Sequence, residues 1–175
     1  MQPLEFRLNM ELAQKTQEQA KDIIGPLLIR DATFQEDVKE ATDLVVDISG
    51  PKRLAIRVRR PGYWERYGHH ITIREWNASP IAEQQKIMAG WGDWMFYGHL
   101  GDFGGIAEYV MVDLDVYRDL FARDMLTTGT RANMDGRTGL RWVDVRSFTE
   151  PGILSYSPGY AKWLDPIVKQ MELAI

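Results

Sequence analysis

From Leu54 to Arg59 the side chains alternate without a break: Leu54, Ile56 and Val58 are apolar, while Ala55, Arg57 and Arg59 are small or cationic. A period of two marks a β-strand with one buried face. The segment therefore predicts a sheet with an apolar side and an exposed side carrying Arg57 and Arg59. Upstream lie the turn sequence Ser49-Gly50-Pro51-Lys52 and the apolar run Leu44-Val45-Val46. Residues 42–48 and 53–59 thus read as a hairpin, its register set by the turn and by the apolar face.

The remaining elements follow from periodicity and punctuation. Leu12, Ala13, Ala20, Ile23 and Ile24 fall roughly on one face of a helix over 9–24, which Gly25-Pro26 should end. A third strand over 71–74 follows an aromatic loop. A helix over 80–89 is expected next, with Ser79 as its cap and Pro80 in its first position. Gly90-Trp91-Gly92-Asp93 has neither a phosphate-loop lysine nor a dinucleotide spacing and reads as a turn. Asp93 is at most a further metal ligand. Strands are expected at 94–97, 106–112 and 140–145, and helices at 116–121 and 160–173. Asp113 and Asp115 stand at the start of the first of these helices, where carboxylates meet the positive end of its dipole. Residues 127–139, rich in Gly, Thr and Arg, read as a loop. This order predicts an α/β (α+β) fold with a mixed central sheet flanked by helices.

Length and composition set outer bounds. The 175 residues suit a single domain over 1–175, with a core over about 10–120 and a C-terminal extension over about 121–175. Apolar residues make up 45%, enough for a substantial core. The absence of cysteine excludes disulfides and thiolate metal sites and suits a reducing compartment. The first residues do not resemble an export signal, and no run of about 20 apolar residues occurs. A cytoplasmic location without membrane contact is expected.

Charge is unevenly placed. Residues 52–74 carry seven basic side chains (Lys52, Arg53, Arg57, Arg59, Arg60, Arg66, Arg74) against Glu65 alone, in a chain of net charge -4. Such a stripe attracts phosphate locally, because screening confines each field to about 10 Å. The same arginines would also serve simply to pair with carboxylates elsewhere. Tyr63, Trp64 and Tyr67, interleaved with them, suit either base stacking or packing over the sheet edge. His69, His70 and His99 do not form a zinc spacing, and no acidic partner for them is evident in the sequence.

Three strands preceded by one helix and followed by another, with Asp43 in Glu40-Ala41-Thr42-Asp43-Leu44-Val45-Val46, resemble the common core of the PD-(D/E)xK nuclease superfamily over about residues 10–120. The resemblance implies a restriction-endonuclease-like core, with an acid at the start of the second strand that binds a divalent metal. An acid-x-Lys pair is implied on the third strand. Ala55-Ile56-Arg57-Val58-Arg59 departs from that pattern, with Arg57 in place of the acid and Arg59 in place of the lysine. In the superfamily catalytic groups migrate to the following helix, where Glu83 and Lys86 stand three apart on one face. The resemblance thus implies Asp43, Glu83 and Lys86 as catalytic residues, Asp43 and Glu83 as ligands for Mg2+ or Mn2+, and Glu18 as an outer carboxylate. Glu83 and Lys86 also read as an ordinary surface ion pair. Lys52, Arg57, Arg59, Arg60 and Arg74 would contact nucleic acid, with DNA expected ahead of RNA.

Ala-Thr-Asp, Ala-Ile-Arg-Val-Arg, Thr-Ile-Arg, Glu-x-x-Lys-Ile and Trp-x-Phe-Tyr-Gly are together similar to uncharacterised phage and prophage proteins. That similarity implies a role in phage DNA metabolism or in conflict with the host. Three functions stay open at this point. They are a metal-dependent nuclease, a non-cleaving nuclease fold that binds nucleic acid or blocks a host or phage protein, and a plain protein-interaction module.

Overall fold

The computed structural model describes residues 4–25, 29–40, 43–47, 51–76 and 81–164. Helix α1 (Leu4–Ile24) is followed by β1 (Ile29–Asp31), α2 (Phe34–Glu40), β2 (Leu44–Asp47) and β3 (Pro51–Arg59). Then come α3 (Trp64–Tyr67), β4 (His70–Trp76), α4 (Glu83–Met88), β5 (Trp94–Leu100), β6 (Ile106–Asp113) and α5 (Leu114–Ala122). Strands β7 (Thr128–Ala132), β8 (Gly139–Asp144) and β9 (Ile153–Tyr156) lead into the last described helix, α6, over 158–164.

The described strands form two sheets. Six lie in the order β1-β2-β3-β5-β6-β9, and three in the order β4-β8-β7. Every pair is antiparallel except β3 with β5. A parallel pair needs a long crossover. Residues 60–93 supply it, and they carry α3, β4 and α4. The mixed central sheet flanked by helices agrees with the expected fold class.

Alternation along β3 and β5 divides the apolar residues between two cores. Leu54, Ile56 and Phe96 meet Ala20 and Ile24 of α1 on one face, with Leu44 and Met111. Met95 and Tyr97 meet Ile71, Ile73, Val143, Tyr117 and Leu120 on the other. A fully buried side chain of this size stabilises the fold by roughly 1.5–3 kcal/mol. Val143, Val145, Phe148, Tyr160 and Leu164 belong to that second core, so the segment beyond residue 121 packs into the same body as the expected core.

Three expectations are corrected. The strand at 70–76 leaves the hairpin and pairs with β8 in the smaller sheet. The antiparallel run of three is therefore β1-β2-β3. Residues 128–132 form an edge strand in place of the expected loop. Its exposed side chains need no apolar alternation, and Gly129 lies under the Trp142 indole, where a Cβ would sit 2.7 Å from the ring. The cationic face of β3 is covered by the crossover instead of being open to solvent. The proposed cap at Ser79-Pro80 lies outside the described residues, and α4 starts at Glu83. The turn at Gly90-Asp93 is present, with φ of 89° at Gly90 and 75° at Gly92. Asp113 caps α5 by accepting the N–H groups of Asp115 and Val116. No described helix is long and apolar enough to cross a membrane.

Candidate functional site

Asp43 stands one residue before β2, where the ladder with β3 has not begun. Its N–H donates to the Leu54 carbonyl at 3.2 Å. Its carboxylate replaces the missing strand by accepting the Ile56 N–H at 2.7 Å. Burial pushes the carboxyl up to about 6; the Ile56 N–H opposes this, Asp37 and Glu83 add to it, and Arg57 opposes it. Asp43, Glu83 and Arg57 thus share one electrostatic neighbourhood. Asp43 is the desolvated member, and among the described residues the Ile56 N–H bonds its carboxylate.

Glu83, at the start of α4, faces β3. Its Oε2 accepts from the Arg57 guanidinium and from the Arg74 N–H at 2.8 Å. The two side chains of the ion pair are only 21% and 18% exposed, so solvent screens them weakly. Arg59 lies on the same face, donating to the Tyr97 hydroxyl at 2.7 Å and standing 5.8 Å from the Tyr63 ring. Tyr97 in turn bonds Thr72 of β4 at 2.9 Å. Arg57 and Arg59 do share one side of the sheet, but that side carries internal partners. The expectation of an open arginine face is corrected.

The other expected residues have contacts of their own. Lys86 lies against the Trp91 ring, 5.8 Å from its centroid. Glu18, expected as an outer carboxylate, is exposed on α1 and pairs with Lys21. Arg53 is engaged by Asp93, whose carboxylate also accepts the Arg53 N–H at 2.7 Å; Asp93 is therefore a strand-end clamp. Lys52 is half-buried on β3. Arg60 and Arg74 are exposed, with Arg60 donating to Asn9 at 2.7 Å. Trp64 packs against His99, Tyr160 and Trp163, while Tyr63 and Tyr67 are exposed.

Sequence reasoning missed the contribution of α1. A cavity of about 280 Å³ opens between α1 and β3, bordered by Asn9, Thr16, Gln17, Asp43, Val58 and Arg60 among others. Gln17 donates to the Asp43 carbonyl at 3.4 Å and to Asp31 at 3.2 Å. The signal was present in the sequence: Thr16 and Gln17 interrupt the apolar stripe of Ala13, Ala20 and Ile24.

A divalent cation fits this donor set in part. Asp43 is a desolvated carboxylate whose charge a cation would compensate. Glu83 already has a cation in Arg57, and would hold a metal only with Arg57 withdrawn. Compared with family models and with curated proteins, the chain matches none at a significant level.

Proposed function

We propose that the protein is a nuclease-like, nucleic-acid-binding protein of the PD-(D/E)xK type. Its acidic centre is Asp43 and Glu83, with Lys86 one helical turn beyond Glu83. The observation that carries this reading is the place of Asp43: a half-buried carboxylate just before the second strand of an antiparallel run, within electrostatic reach of Glu83. The sheet order supports it, since α1 precedes β1-β2-β3, Arg57 and Arg59 stand on the third strand, and α4 follows.

Phosphodiester cleavage needs activated water and neutralisation of charge on the phosphate. Asp43 and Glu83 would hold Mg2+ or Mn2+, which when bound supplies both. Lys86 is the cation of the set, and Arg60 and Arg74, exposed at the end of β3 and on β4, are placed to contact phosphates. A role in phage DNA metabolism or in conflict with a host belongs to the same proposal.

One observation favours a second reading. Arg57 holds Glu83 with the charge that a metal would otherwise bring, as expected of a protein that binds nucleic acid without cutting it. Incubating single- and double-stranded DNA and RNA with the protein in Mg2+ or Mn2+ separates the readings. Cleavage that is lost in Asp43→Asn and Lys86→Ala, with the fold intact, supports the nuclease. Salt-sensitive binding without cleavage supports the second reading. No binding at low salt rejects both and leaves a protein-interaction module.

A further inference from the structure

His69, His70 and Asp144 come together at one end of the smaller sheet. Among the described residues they are a group whose donor atoms all lie within 4.8 Å of one another. The cluster is a product of the smaller sheet. His70 opens β4 and is the cross-strand partner of Asp144, which closes β8. His69 stands in the turn just before β4, outside the strand alternation that would send adjacent side chains to opposite faces. Its carbonyl accepts the Val145 N–H at 2.9 Å, which ties the turn to the end of β8. The two imidazoles are 4.0 Å apart, centroid to centroid.

Aromatic walls hold both rings. His70 lies 4.9 Å from Trp142, and His69 lies 5.7 Å from Trp163. Both imidazoles are half-buried, and it is the neutral form of the ring that binds a metal. Asp144 is held by the Arg146 N–H at 2.9 Å and by its guanidinium, the closest approach being 2.6 Å. The Asp144 side chain is only 9% exposed, whereas that of Arg146 is 50% exposed. The guanidinium therefore covers the carboxylate from the solvent side and can leave it without crossing the core.

We propose that His69, His70 and Asp144 form a binding site for a transition-metal ion of the Zn2+ class, which Arg146 covers when the ion is absent. Two imidazoles and one carboxylate suit Zn2+, Co2+ or Fe2+ and not Mg2+, which prefers oxygen donors. Ligand atoms around such an ion stand about 2.0–2.2 Å from it, so the three donors need to close by roughly an ångström. Three protein ligands leave a position for water or for an anionic ligand. The site does not depend on the nuclease reading, since neither Asp43 nor Glu83 takes part.

The test uses the full chain without a histidine tag. Zn2+ titration followed by calorimetry and by tryptophan fluorescence should show one ion per chain, and Co2+ should give a visible absorption band. His69→Gln and His70→Gln should each weaken binding by at least about tenfold, the loss that even an outer-sphere change produces. Arg146→Gln should tighten it by releasing Asp144. Imidazole NMR resonances of the unaltered protein read the ligands without any variant, and both rings must shift in step with added Zn2+. Absence of Zn2+ and Co2+ binding, or binding undiminished in both histidine variants, overturns the site. Affinity unchanged in Arg146→Gln overturns the assignment of Asp144 as a ligand.

Discussion

The centre at Asp43 and Glu83 and the cluster at His69, His70 and Asp144 each contain a carboxylate paired with an arginine, and they differ in where the arginine sits. Arg57 projects from the inner face of β3 and is largely buried with Glu83. Arg146 sits at the surface, two residues from the carboxylate it covers. A buried cation is part of the fold's charge balance, because removing its partner leaves an uncompensated charge in a poorly solvated place. A surface cation is exchangeable, since water replaces it. Arginine–carboxylate pairs of like chemistry are thus a structural element in one sheet and a removable cover in the other.

The contrast between the two arginines stands or falls first on stability. Glu83→Ala should cost about 3 kcal/mol, since it strips Arg57 and the Arg74 N–H of their acceptor. Arg146→Gln should cost about 1 kcal/mol or less, because its guanidinium is screened by solvent. Urea unfolding of the two variants measures both, and equal losses would refute the distinction between a buried and a surface cation.

A slightly smaller effect refines the contrast through pH. The Asp43 pKa is raised to about 6 from its ordinary 3.8, so the folded state binds more protons than the unfolded one between those values. Stability should therefore fall as pH rises through that window, by up to about 3 kcal/mol once above it. Asp43→Asn should remove this loss, making the metal-free variant more stable than the parent at pH 8. The buried His99 acts in the opposite sense. Burial first, and Arg59 second, lower it to about 4 from 6.5, so its contribution is present above pH 6.5 and is lost as pH falls towards 4. The two slopes oppose each other in the parent, and Asp43→Asn should unmask acid lability below pH 6. A thermal melt series from pH 4 to 8 checks the sign of each, and a variant profile parallel to the parent's would remove Asp43 as the source.

The weakest effect concerns nucleic acid. Arg60 and Arg74 are exposed, so Arg60→Gln and Arg74→Gln should each flatten the salt dependence of binding by about one unit for every phosphate no longer neutralised. Arg57→Gln should leave that slope unchanged while lowering stability. A titration of labelled DNA at several salt concentrations decides this; a flattened slope in Arg57→Gln would mean that Arg57 leaves Glu83 to meet phosphate.

Features that rest on neighbours a few residues apart were legible in the sequence alone. Helix α1 follows from its apolar stripe, β3 from the alternation of Leu54, Ile56 and Val58, the turn at Gly90-Asp93 from glycines free to take positive φ, and the start of α5 from the Asp113 cap. Tertiary structure settled which surfaces meet. The alternation of β3 correctly separated its two faces but could not say that α4 would cover the second, because Glu83 reaches Arg57 through a crossover. Strand β4 carries no local sign that it pairs with β8 instead of β3, and β7 hides in a polar segment because an exposed edge requires no apolar residues. His70 finds its acidic neighbour, Asp144, only through that same pairing. Strand pairing joins distant segments and is set by burial and register across the whole sheet, so local periodicity carries no record of the partner.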